Sequence, residues 1–141
     1  MLDPSNIPPI EETEILARYV LQSRHFRNNG TPRPELFMPH PHQDLSVTRH
    51  RETTEAEIWQ VGDDVATQTG KTLYGRFDIQ AKDCQIESLT IKAKPVENNH
   101  NHADITGWSS SKPEQKALAL KIAAAPSITK RISPPNQGNS T

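Results

Sequence analysis

The chain has 141 residues and a net charge of −1, from 16 basic and 17 acidic side chains, so its overall charge provides no attraction to nucleic acid or to an anionic membrane. Hydrophobic residues make up 33% of the sequence and the mean hydropathy is −0.75, which allows one small core and argues against a large buried cavity. The single cysteine, Cys84, excludes an internal disulfide and a zinc site made of several cysteines.

The location of the protein is predicted from what its sequence lacks. No apolar run approaches the roughly 18 residues that a bilayer-spanning helix requires. The first residues do not show the basic and then apolar pattern of a secretory signal. We therefore expect a cytoplasmic protein without a membrane segment, and a lone cysteine is compatible with that reducing compartment.

The first third of the sequence predicts an arm, a helix and a long connector. Residues 1–10 contain several prolines and are expected to be flexible. Residues 11–22 are predicted to form a helix, because apolar side chains recur at helical spacing and glutamates lie near its start. Residues 23–42 are too rich in proline and glycine for regular structure, and the apolar residues 36–38 are expected to attach this connector to the core.

Four segments alternate apolar and polar residues and are predicted to be strands: residues 45–49, 72–80, 86–94 and 102–106. In the first of them, Leu45, Val47 and Arg49 share one face. An internal glycine in the second, Gly75, indicates a bulge or a close approach of another backbone. The alternation of the third changes phase near Ser88, which predicts a bulge or a later start of that strand.

Two further helices are predicted after the first strand. One begins at Thr53 or Thr54 and runs to about residue 68, with Gly70 as its stop signal. The other follows the serines at 109–111 and ends before Pro126. The sequence thus predicts an α+β domain.

The predicted domain covers residues 11–125 and contains a small, mostly antiparallel four-stranded sheet packed with about three helices. Residues 126–141 carry no apolar periodicity and are predicted to be a disordered tail, like the flexible arm of residues 1–10.

Several short motifs of this chain carry a resemblance: SRHF at 23–26, FMP at 37–39, LSVTR at 45–49, YGR at 74–76 and HADITGW at 102–108. Together they resemble a loose group of small bacterial proteins, over roughly residues 14–124. No activity is established for that group, so the resemblance implies no function for this chain.

Metal binding is one hypothesis that the sequence raises. Two His-x-His pairs could each present both imidazoles on one side of an extended segment: His40 with His42, and His100 with His102. The first pair lies among prolines and the second among asparagines, which is typical of solvated turns, and no cysteine cluster or HExxH motif supports them. We therefore expect neither a metal nor another cofactor.

A cluster of basic residues gives the strongest functional hypothesis. Five side chains lie at the ends or on one face of predicted core elements: Arg24, His25, Arg49, Arg76 and His102. If they converge, arginine forks and imidazoles would form a pocket for a phosphate or carboxylate. In the alternative, the arginines pair with carboxylates and have a structural role. Residues 15–34 also carry four arginines and no carboxylate.

Two functions remain open at this point. The first is a small non-enzymatic module that docks on a protein or nucleoprotein partner through its arginine-rich connector and tails. The alternative is a small enzyme or binding protein that acts on a phosphate-bearing ligand, such as a nucleotide or an RNA end, through the Arg/His pocket. The chain has only seven aromatic residues (three Phe, two Tyr and two Trp), which argues against a platform for stacking single-stranded nucleic acid.

Overall fold

The computed structural model describes residues 7–39 and 44–135, which form an α+β fold around one open antiparallel sheet. The sheet has five strands in the order β3-β1-β2-β5-β4: β1 (Ile15–Val20), β2 (Leu45–Arg49), β3 (Gly75–Gln80), β4 (Thr90–Ala93) and β5 (His102–Thr106). Three helices accompany it: α1 (Glu55–Thr69), α2 (Lys82–Gln85) and α3 (Lys112–Ala123). The connector adds two 3-10 turns, Ser23–His25 and Pro34–Phe37.

The prediction of a helix at residues 11–22 is wrong, because this segment contains the strand β1. The sheet therefore has five strands instead of the predicted four. β1 lies between β3 and β2, and both of its faces are covered. Leu16 and Val20 pack into one core while Ala17 and Tyr19 pack into the other. A strand buried on both faces loses the apolar–polar alternation, so its apolar residues also fitted a helical spacing.

The helix α1 confirms the prediction for residues 53–68, and its ends are defined by local chemistry. Thr54 and Glu57 form a reciprocal capping box, in which each side chain accepts a hydrogen bond from the other residue's backbone N–H. Gly70 ends the helix in the left-handed conformation with φ 67°. The inner side of α1 places Ile58 and Trp59 against β1.

The opposite face of the sheet carries the larger core. Helix α3 follows its N-cap Ser111 and packs on the 3-10 turn Pro34–Phe37, which buries Leu36 and Phe37. The expectation that residues 36–38 attach the connector to the core is thus confirmed for its first two residues, while Met38 is partly buried against the same cluster.

The third predicted strand is shorter than expected, and it starts late. β4 begins at Thr90, while residues 82–85 form the short helix α2. Ser88 has a positive φ of 68°, a conformation that neither a helix nor a strand continues through. The change of phase near Ser88 therefore marks the turn between α2 and β4.

The segment after α3 runs along the outer edge of β3. Arg76 and Ile132 exchange both backbone hydrogen bonds, and the backbone N–H of Thr129 donates to the carbonyl of Asp78. At Gly75, with φ 138°, an added Cβ would lie 2.4 Å from the Ile132 carbonyl oxygen, so the predicted close approach of another backbone is confirmed.

These contacts correct the boundary of the tail predicted at residue 126, because residues 127–132 are bound to the sheet edge. At the other end, the carbonyl of Pro9 accepts a hydrogen bond from Arg49, so the arm predicted at residues 1–10 touches the core at that point. Residues 1–6 and 136–141 lie outside the described residues. Among the helices in the described part of the chain, none has both the length and the apolarity that crossing a bilayer requires.

Candidate functional site

Arg49, one of the five candidate anion-binding residues, forms an ion pair inside the fold. Its Nε lies 2.5 Å from one carboxylate oxygen of Glu14, and its Nη2 lies 2.9 Å from the other. Nη2 also donates to the carbonyl of Pro9 at 3.2 Å. The two charged side chains are only 2% and 9% exposed. Arg49 therefore neutralises a buried carboxylate and is not free to bind a ligand.

Arg76 has a comparable structural role on the α1 side of the sheet. Its Nε lies 3.0 Å from Asp78, its Nη2 contacts both carboxylate oxygens of Glu55, and its guanidinium lies 4.8 Å from the ring centre of Trp59. Burial alone would raise the pKa of Asp78, but the adjacent Arg76 and the ring of His50, 3.2 Å away, hold it below its usual value. Asp78 is therefore the charged centre of a paired network.

The structure does not bring the five candidate residues together. Arg24 is exposed and donates from Nε to the side chain of Gln22. Arg49 and Arg76 belong to the separate ion pairs described above. Among the five, His25 and His102 line one cavity of the described structure together, while the alternative of structural arginines applies to Arg49 and Arg76.

The cavity that contains the two histidines, here called the basic pocket, has a volume of about 250 Å³ and opens beside the C-terminal end of α1. Its lining includes four basic residues: Arg18, His25, Lys71 and His102. Its other side chains are neutral: Tyr19, Leu21, Gln22, Ser46, Val47, Thr48, Val65 and Asn99. Within the described part of the chain, no aspartate or glutamate lines it. The basic pocket therefore has the charge that an anion requires.

Arg18 enters the basic pocket where two strands stop pairing. β1 and β2 pair at Leu16 with Arg49 and at Ala17 with Thr48, and Arg18 follows at the end of this ladder. Its Nε donates to the carbonyl of Leu36 at 3.0 Å, and its Nη1 donates to the carbonyl of Ser46 at 3.0 Å. Burial lowers the pKa of Arg18 to about 10, so the guanidinium is still charged at neutral pH.

The two neutral carbonyls orient Arg18 without cancelling its charge. Arg49 and Arg76 each face at least one carboxylate within 3.0 Å. For Arg18, no carboxylate of residues 7–39 or 44–135 lies within salt-bridge distance. A partly buried cation without a counterion is costly unless an anion or water completes its environment.

His25 experiences this positive field directly. Burial lowers the pKa of its imidazole, and the charges of Arg18, Arg24 and Lys71 lower it further, while Glu35 acts in the opposite direction. His25 is therefore neutral near pH 7 in these surroundings. An anion beside the ring would oppose the arginine charges and favour the protonated form.

The orientation of His102 on β5 follows from one backbone contact. Its Nδ1 lies 2.9 Å from the carbonyl oxygen of Lys94, and since a carbonyl only accepts, Nδ1 carries a proton. The other ring nitrogen, Nε2, lies 3.6 Å from a carboxylate oxygen of Asp104. The carboxylate of Asp104 also lies beside the amine of Lys94 and accepts a hydrogen bond from Ser46. Three side chains therefore contact this carboxylate.

Lys71 and Arg18 are the two site residues that the sequence hypothesis missed. Lys71 reaches the pocket because Gly70 reverses the chain, and the Lys71 backbone N–H then donates to Ala66 at 2.8 Å. Arg18 was hidden by the expectation of a helix, although the absence of carboxylates from residues 15–34 was already a signal of uncompensated charge.

The described residues support neither a metal site nor a reactive cysteine. Among the described residues, no group of three or more ligating side chains could hold a metal ion; His40 and His42 lie outside that part of the chain. His102 already uses Nδ1, and His100 is exposed. Cys84 is fully buried, and this burial, aided by Asp83 and Glu87, raises the pKa of its thiol to about 12, so it is not a nucleophile.

Comparison with known proteins does not indicate a function for this site. No family model matches the chain, and no curated protein or solved structure is significantly similar to it. The resemblance of its motifs to a loose group of small bacterial proteins therefore stays a prediction, and the residues of the basic pocket themselves carry the functional argument.

Proposed function

We propose that this protein binds a small phosphate-bearing ligand, whose anionic group occupies the basic pocket. The observation that carries this proposal is Arg18: it is partly buried, held by two carbonyls and has no carboxylate counterion in the described structure. Lys71, His25 and His102 surround the same space. Arginine, lysine and imidazole donors around a small cavity are the usual chemistry of phosphate recognition.

A phosphate group fits this environment better than a carboxylate does. The pocket offers donors from several directions, and a phosphate presents three oxygens at tetrahedral angles with up to two negative charges. The neutral lining also includes Gln22, whose side-chain amide nitrogen can donate to the same oxygens. Docking on a protein or nucleoprotein partner, which the sequence favoured, stays a prediction.

The first prediction tests the charge of the basic pocket. Replacing Lys71 with alanine should weaken the binding of inorganic phosphate about five- to tenfold, because one charged donor is lost from a partly desolvated site. Isothermal titration of phosphate, sulfate and acetate into the full chain measures this. Phosphate and sulfate should bind more tightly than acetate.

Lys116→Ala is the matched control, since Lys116 is an exposed lysine on α3 that does not line the pocket. Its phosphate affinity should equal that of the unmodified protein. Equal losses in both lysine variants would mean that the anion responds to the general charge of the surface. Absence of phosphate and sulfate binding to the unmodified chain would refute the proposed function.

The second prediction concerns pH and uses sulfate, which keeps its charge near neutrality, whereas a phosphate titrates. The pKa of His25 is lowered in the folded protein, so the fold binds fewer protons there than the unfolded chain and loses stability as the pH falls below about 6.5. A bound dianion raises the pKa of His25 and favours its protonated form. Sulfate affinity should therefore rise about threefold or more as the pH is lowered from about 8 to about 5.5.

Sulfate titrations at both pH values, repeated with His25→Gln, provide the measurement. The variant retains a polar side chain but cannot titrate, so most of the pH dependence should disappear. The charged neighbours Arg18, Arg24, Glu35 and Lys71 are unchanged in it. A pH dependence that persists in His25→Gln would assign the proton uptake to a different group.

A further inference from the structure

A second cavity adjoins the basic pocket and differs from it in chemistry. It has a volume of about 190 Å³ and lies between α1 and the turn before β5. The two cavities share Thr48 and Asn99, whose side chains are hydrogen-bonded to each other at 3.0 Å. The two hydrogen-bonded side chains therefore lie at the boundary of the cavities, and a ligand that extends past them would touch both.

The lining of this second cavity, here called the amide pocket, suits an uncharged polar group. Most of its side chains are amides, hydroxyls or carboxylates: Thr53, Glu57, Gln60, Asp64, Asn98, Asn99 and Asn101. Within the described residues, His100 is the one basic residue that lines it, and neither lysine nor arginine does. Such groups accept from hydroxyls and amines, and the carboxylates of Glu57 and Asp64 repel an anion.

Hydrogen-bonding capacity remains in the amide pocket after its internal bonds are counted. Gln60 donates from its amide nitrogen to one oxygen of Asp64 at 3.0 Å. This leaves the amide oxygen of Gln60 and the second carboxylate oxygen of Asp64 without a donor among the described residues. Asn98, at the rim, likewise makes no side-chain hydrogen bond in that part of the chain. These acceptors could serve a ligand that donates.

The sizes of the two cavities support a shared ligand. Small-molecule sites have volumes of roughly 300 Å³ or more, and each cavity is smaller than that. Taken together they reach this range. A ligand that fills both would place an anion at Arg18 and a donor-rich body at Gln60.

We infer that the ligand is a phosphate monoester of a sugar or a nucleoside, with its phosphate in the basic pocket and its hydroxyl- or amine-bearing body in the amide pocket. This inference rests on the proposed function. It also specifies one phosphate group, because a second phosphate would have to approach the carboxylates of Glu57 and Asp64.

The test compares five compounds by isothermal titration into the full chain: inorganic phosphate, ribose 5-phosphate, adenosine monophosphate, adenosine diphosphate and adenosine. At least one monophosphate ester should bind about tenfold more tightly than inorganic phosphate. The diphosphate should bind no more tightly than the monophosphate, and adenosine should bind far more weakly than either. Ribose 5-phosphate and adenosine monophosphate separate a sugar phosphate from a nucleotide.

Gln60→Ala then locates the body of the ester. This variant should weaken the binding of the preferred ester about three- to tenfold and leave inorganic phosphate unchanged, because the lost contact is polar and lies outside the basic pocket. Gln68→Ala is the matched control, an exposed glutamine of the same helix that lines neither cavity. Its affinities should equal those of the unmodified chain.

The outcomes distinguish the two proposals. If inorganic phosphate and sulfate do not bind, the proposed function fails and this inference fails with it. If phosphate binds but neither ester binds more tightly, only the inference about the ligand body is overturned. If an ester binds more tightly but Gln60→Ala behaves like Gln68→Ala, the amide pocket does not hold the body, and the inference is again overturned.

Discussion

Replacing Arg49 with alanine is expected to lower the free energy of unfolding by about 3–5 kcal/mol, because it leaves the carboxylate of Glu14 buried without its partner. The two side chains are 2% and 9% exposed and share two hydrogen bonds. Urea unfolding followed by tryptophan fluorescence measures this loss. Sulfate affinity of the remaining folded protein should equal that of the unmodified chain, since Arg49 does not line the basic pocket.

Two variants complete this experiment. Arg24→Ala removes an exposed arginine and should change the free energy of unfolding by no more than about 0.5 kcal/mol. The double variant Arg49→Met with Glu14→Leu removes both charges and should recover much of the stability lost in Arg49→Ala, because no uncompensated charge stays buried. A loss in Arg49→Ala as small as that in Arg24→Ala would contradict a structural role for this ion pair.

Truncation of the chain after residue 126 should also destabilise the fold, by about 2–4 kcal/mol, through the loss of the hydrogen bonds along the outer edge of β3. Asp78 and Gln80 would lose the side-chain acceptors Thr129 and Ser127, and Arg76 would lose both backbone bonds to Ile132. The melting temperature measured by circular dichroism should fall by several degrees.

Truncation after residue 135 is the matched control, because it keeps every one of these edge contacts. This shorter deletion should leave the melting temperature nearly unchanged. Equal melting temperatures for the two truncated chains would show that residues 127–132 contribute nothing to stability. The prediction that the whole segment from residue 126 is a disordered tail would then regain support.

The parts of the fold that local chemistry determines could be predicted from the sequence. Thr54, Glu57 and Gly70 define the two ends of α1 wherever that helix packs, and the alternation at residues 45–49 correctly predicted β2. β1 could not be recognised in this way, because its strand conformation depends on pairing with β3, whose residues lie about sixty positions later.

The candidate site shows the same division between local and distant information. His25 and His102 were candidates because they lie at the ends or on one face of predicted core elements, and both line the basic pocket. Whether an arginine is free depends on residues that are distant in the sequence. Glu14 neutralises Arg49 from 35 positions away, whereas Arg18 becomes a candidate ligand only because β1 and β2 stop pairing beside it.

The burial of Cys84 makes its thiol a natural probe for the opening of the core. The thiol is fully buried in the larger core, and a protonated, enclosed thiol reacts with an alkylating reagent only after the core around it separates. As the chain has one cysteine, each labelled molecule records one such event at a known place. The rate of labelling therefore follows the opening of the core without any engineered probe.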